Sequence, residues 1–118
     1  MTSMKEIEQL IASLDNTGHL LYSCPDNPYE SIYIRAKISE GSLTITDEES
    51  EHAPGGGSSL EELKFDTMNT QKVFLFLLEI DPNPYLALSS MMSYMQRTKV
   101  FQAACQVRSI QFQKKLFL

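Results

Sequence analysis

Ile32-Tyr33-Ile34-Arg35-Ala36-Lys37-Ile38-Ser39-Glu40-Gly41-Ser42-Leu43-Thr44-Ile45-Thr46 decides the fold of this chain. Ile32, Ile34, Ala36 and Ile38 alternate with Tyr33, Arg35 and Lys37, the period of two that puts apolar side chains on one face of a strand and polar ones on the other. Glu40-Gly41 supplies a tight turn into Leu43-Thr44-Ile45-Thr46, so residues 30–46 are expected to form a β-hairpin. One face of that hairpin is apolar and needs a covering layer.

The flanks supply candidates for that layer. Upstream, Ile7, Leu10, Ile11 and Leu14 recur at helical spacing, and Ser3 with Glu6 fits a capping box. The spacing predicts a helix over 3–14, with Gly18 as its stop. Leu20-Leu21-Tyr22 and the turn cluster Pro25-Asp26-Asn27-Pro28 lead from it into the hairpin. Downstream, Leu60 to Met68 reads equally as a short helix or a strand. Val73 to Leu78 is apolar on all sides, and Thr70 as a cap favours a helix there. Asn83-Pro84 starts another helix, and Tyr85, Leu88, Met91 or Met92 and Met95 carry it to about Gln96. From Arg97 onward, Val100, Phe101, Ala104 and Cys105 suit a helix, whereas Ser109-Ile110-Gln111-Phe112-Gln113 alternates like a strand. The expected fold is therefore α+β: an N-terminal helix, an antiparallel hairpin or sheet, two or three helices, and a C-terminal strand packed on the sheet.

The chain has 118 residues, 42% hydrophobic and 21% charged, which is one domain of ordinary globular composition. Within 1–118 the stretch of about 47–59 stands apart. Asp47, Glu48, Glu49 and Glu51 precede Pro54-Gly55-Gly56-Gly57-Ser58-Ser59, which predicts a flexible acidic, glycine-rich loop. The formal charge of −5 disfavours direct nucleic-acid binding, since a phosphate backbone is bound through Lys and Arg. Cys24 and Cys105 have neither the number nor the spacing of a disulfide framework or a zinc ribbon, so both are read as free thiols of a reducing compartment. The polar opening Met1-Thr2-Ser3-Met4-Lys5-Glu6 lacks a signal core, and the apolar run at 73–78 is far below the roughly 20 residues that span a bilayer. A cytoplasmic protein without membrane contact is expected.

No enzyme site is legible. Cys24 could use His19 or His52 as a base, but nothing in the sequence fixes such a geometry, and the proline after Cys24 denies it a helix N-terminus. The two histidines have no paired metal-ligand spacing, the 47–51 acids lack the Gly and closing Glu of an EF-hand, and Gly55-Gly56-Gly57 is not followed by Lys-Ser or Lys-Thr. No cofactor and no metal are expected. What does stand out is charge segregation. Residues 40–66 hold eight acids (Glu40, Asp47, Glu48, Glu49, Glu51, Glu61, Glu62, Asp66) against Lys64 alone, whereas 97–118 hold Arg97, Lys99, Arg108, Lys114 and Lys115 and no acid. Concentrated negative charge accelerates encounter with a basic partner, and these eight residues are the candidate partner-binding set. Leu116-Phe117-Leu118 is a second unusual feature, since termini are normally polar.

In overall character, a small acidic α+β chain with an acid-rich hairpin and loop resembles the immunity proteins of bacterial toxin–immunity systems, including contact-dependent inhibition. That resemblance implies a protein that binds and neutralises a cognate toxin, a basic nuclease domain, by covering its active site, with residues 40–66 standing in for phosphates. The chain also resembles type III secretion chaperones, which would imply a dimer holding an effector segment; monomer and homodimer both remain open.

Overall fold

The computed structural model describes residues 3–24, 27–52 and 55–118. The order of elements is α1 (Met4–Ser13), β1 (Gly18–Cys24), β2 (Glu30–Ser39), β3 (Ser42–Glu51), β4 (Ser58–Lys64), α2 (Thr67–Ile80), α3 (Pro84–Ser90), α4 (Lys99–Val107) and β5 (Gln113–Phe117). The five strands form one antiparallel sheet in the order β1-β2-β3-β4-β5. This is the expected α+β fold. None of the described helices is long and apolar enough to cross a membrane.

The hairpin forms as its alternation requires. Ser39 pairs with Ser42 across Glu40 and Gly41, whose φ values of 53° and 76° are those of a type I′ turn. Ile32, Ile34, Ala36 and Ile38 of β2, Leu43 and Ile45 of β3 and Leu63 of β4 are buried on one face. Ile7 and Ile11 of α1, with Val73, Phe74, Phe76 and Leu77 of α2, cover them. Phe65 anchors the layer, its ring 5.7 Å from Phe101 of α4 and 5.3 Å from Phe112. The other face, carrying Arg35, Lys37, Glu48 and Lys64, is open to solvent.

Several boundaries differ from the sequence reading. The stretch 47–51 is not loop: β3 runs on through Glu51, and Ser58 and Ser59 already belong to β4. Hydrogen bonding to β2 on one side and β4 on the other carries the strand past its last apolar residue, so its acids alternate between the two faces of the sheet, with Asp47 buried and Glu48 and Glu51 exposed. Pro54 lies outside the described residues, as do Pro25 and Asp26 of the turn cluster. α1 stops at Leu14, and the left-handed residue after it is Asn16 (φ 60°), whose N–H donates to Ile38 O at 2.7 Å; Gly18 opens β1 instead. Asp66, not Thr70, caps α2. Thr70 is buried inside that helix, where its hydroxyl accepts from the Leu43 N–H at 2.9 Å and so joins α2 to β3. Finally, α3 ends at Ser90 rather than near Gln96, because Ser93 and Arg97 close a tight loop, with the Arg97 N–H donating to Ser93 O at 2.8 Å and Arg97 at φ 57°.

Candidate functional site

Along β3 the covered face changes chemistry. Leu43 and Ile45 lie under the helices; the next three residues of the same row are Asp47, Glu49 and Glu51. Ten-residue strands extend the sheet beyond its helical cover, and the molecule is correspondingly long, 51 × 27 × 23 Å. The tight loop 93–97 sits over this outlying end. Its Arg97 guanidinium donates through Nε to Asp47 Oδ1 at 3.2 Å, makes a second bond to the same oxygen, and reaches Glu49 Oε2 at 3.5 Å. Tyr94, on the same loop, donates its hydroxyl to Glu30 Oε1 at 2.6 Å.

Electrostatics follow from that crowding. Asp47 is only 7% exposed, and Arg97 is the cation paired with it there. Burial alone would lower the pKa of Arg97; hydrogen bonding and attraction to Asp47 and then Glu49 outweigh it and raise it. Interaction between the neighbouring Glu30 and Glu49 carboxyls raises the pKa of Glu49, with burial adding to the rise, and lowers that of Glu30, where Tyr94 adds to the fall. Glu51 stands directly opposite Glu30 in the ladder, a like-charge pairing that destabilises a sheet.

The eight candidate residues do not converge. Asp47, Glu49 and Glu51 share the row just described. Glu61 is on the same face but is taken up internally, accepting from Thr98 Oγ1 and Gln102 Nε2, each at 3.2 Å, with Lys114 at 3.8 Å. Glu48 lies on the open face against Arg35 at 3.4 Å, and Glu62 on that face opposite Lys115. Glu40 and Asp66 belong to the other end of the sheet. Glu40 sits in the β2–β3 turn with its N–H on Asp15 Oδ1 at 2.8 Å. Asp66 accepts from the Asn69 N–H at 2.8 Å, a bond that holds its pKa down. Ten residues of strand separate the two ends by about 33 Å. The segregation of charge along the sequence is thus partly complementarity within the fold: Arg97–Asp47, Arg97–Glu49 and Lys114–Glu61 all join the acidic segment to the basic one.

Sequence reasoning missed Glu30, Tyr94 and Arg97 as members of the site. Glu30 is isolated in sequence, and only the register of β2 against β3 brings it to Glu49 and Glu51. Beside these charges the end of the sheet exposes Tyr29 and Met95, each 79% accessible.

The catalytic pairing considered for Cys24 is not formed. His19 stacks on Tyr85 with ring centroids 4.8 Å apart, and His52 Nε2 is 2.7 Å from Ser31 Oγ. Ser31 and Cys24 fall on opposite faces of the sheet by register. Both cysteines are free, and burial pushes the Cys105 thiol up to about 12. Among the described residues no group of three or more His, Cys, Asp or Glu side chains is placed to hold a metal ion. Comparison with protein-family models, with curated proteins and with solved structures finds no match to this chain.

Proposed function

We propose that this chain is a binding protein whose acidic sheet end docks on a basic protein surface, and that it acts as an immunity protein neutralising a toxin with a basic nuclease domain. The observation that carries the reading is the set Glu30, Glu49 and Glu51, held together although Glu30 and Glu51 face each other across the ladder and Glu49 is next in the same row. A fold gains nothing from that arrangement by itself. A cationic partner relieves the repulsion, and Tyr29, Tyr94 and Met95 beside it offer the aromatic and adaptable apolar contacts that anchor interfaces. The partner-binding set is accordingly Glu30, Glu49 and Glu51; Glu48 lies on the other face against Arg35, and Asp47, Glu61 and Asp66 serve the fold.

The test is to mix the purified chain with the nuclease domain encoded beside it. Equimolar protein is expected to abolish nuclease activity, with affinity falling about tenfold or more as salt is raised from low ionic strength to 0.5 M. Glu51→Lys puts an ammonium opposite Glu30, which favours the fold while cutting the cluster's negative charge, so loss of inhibition in that variant reports binding alone. Full nuclease activity at excess protein would refute the proposal.

A further inference from the structure

The two edges of the sheet are finished differently. β1 is irregular, with a register shift between Leu20 and Tyr22, and α3 packs along it, Tyr85 stacking on His19. Bulges and covering elements are the usual means of blunting an edge. β5 has neither. Its ladder with β4 is regular over five residues, all five are exposed, and among the described residues Lys114 alone makes side-chain polar contacts back to the body of the fold, at Glu61 and Gln102. Leu116, Phe117 and Leu118 are 61%, 49% and 97% accessible, three consecutive apolar residues in water.

We propose that the outer edge of β5 receives an extended segment of a partner protein in which carboxylates alternate or neighbour with large aliphatic residues. The inner side of the same strand shows what its side chains pair with: β4 sets Leu60 opposite Phe117, Glu61 opposite Leu116 while ion-pairing with Lys114, and Glu62 opposite Lys115. A strand added outside meets the same row of cations and apolar groups from the other direction, and main-chain hydrogen bonds supply the affinity while the side chains choose the sequence. Lysines in an edge strand repel strands that bring no negative charge. A second copy of this chain is disfavoured on that ground, because antiparallel pairing about the middle of β5 sets Lys115 against Lys115. This edge adjoins the acidic sheet end, Leu116 and Leu118 lining clefts shared with Glu49, but it is read through the β5 backbone and Lys115, so the tests of the two proposals remain distinguishable.

The probe is a capped peptide with the sequence of residues 58–64, Ser-Ser-Leu-Glu-Glu-Leu-Lys, titrated into the isotopically labelled full chain. Amide shifts and slowed hydrogen exchange are expected in residues 113–118, weakening at high salt, and a peptide with both glutamates replaced by lysine is expected to bind at least about fivefold more weakly. Backbone N-methylation of the outward donors should abolish the response, which separates strand pairing from charge attraction. Lys115→Gln, which introduces no repulsion with Glu62, should erase most of the preference between the two peptides. Absence of shifts at millimolar peptide, shifts centred elsewhere, equal response to both peptides, or a dimer of the free chain that already protects β5 would each overturn the proposal.

Discussion

The two halves of β3 sit on the same face of the same strand and obey the same alternation, yet one half holds Leu43 and Ile45 and the other Asp47, Glu49 and Glu51. Under the helices, polar atoms are few and apolar side chains fill the space. Beyond them, one arginine on a left-handed loop residue compensates carboxylates that the strand geometry forces together. Period two determines which face a residue takes; what covers that face determines whether the residue belongs to a core or to a site.

Substitutions along this row test the division. Ile45→Ala removes a fully buried side chain from the centre of the sheet and is expected to cost about 2–5 kcal/mol in denaturant unfolding. Arg97→Ala is expected to cost about 3 kcal/mol, because Asp47 is left buried without its partner. Most of that loss should return in the double variant Arg97→Met with Asp47→Asn. A cost for Arg97→Ala below about 1 kcal/mol would mean that the acidic end is merely solvated and the contrast between the halves is false.

Titration sharpens the same contrast. The folded pKa of Glu49 lies above its ordinary value, so as pH rises from about 4.3 through the raised value the unfolded chain releases its proton first, and Glu49's contribution to stability falls. Glu30 is shifted the other way, and its contribution appears as pH rises toward the ordinary value from below. Glu49→Gln is therefore expected to gain on the parent as pH rises from about 4.3 to 7, read as a growing difference in urea midpoint at unchanged slope. A difference from the parent that does not change between about pH 4 and pH 7 would show that Glu49 is not held above its ordinary pKa.

The smallest effects lie outside the row. Tyr85, 5% exposed in the apolar half, has a hydroxyl with no hydrogen-bond partner among the described residues, so Tyr85→Phe should leave thermal stability unchanged or raise it by up to about 1 kcal/mol. Arg35→Ala, which breaks a half-exposed pair with Glu48, should change stability by less than about 0.5 kcal/mol.

The sheet-forming alternation of 32–46 and the Ser3 and Asn83 caps could be read in the sequence because each depends on neighbours within a few positions; the alternation at 109–113 announces a terminal strand, but the strand forms at Gln113–Phe117, where β4 pairs with it. Three features could not. The extension of β3 through Asp47–Glu51 contradicts local propensity and is imposed by the strands on either side. The end of α3 at Ser90 follows from a loop that returns Arg97 to Asp47, fifty residues away. The acidic cluster depends on register, which brings Glu30 in and leaves Glu40 and Asp66 some thirty ångströms off. The candidate site was legible as an excess of charge, but not as a place.

The thiol of Cys105 offers a clock. It is wholly enclosed, and its pKa of about 12 leaves almost no thiolate at neutral pH. An alkylating reagent can reach it only when α4 lifts from the sheet, so the rate of its modification counts how often this molecule opens. Applied to the chain alone and then to the chain with each proposed partner, that count would reveal which of the two surfaces, when occupied, holds the whole fold shut.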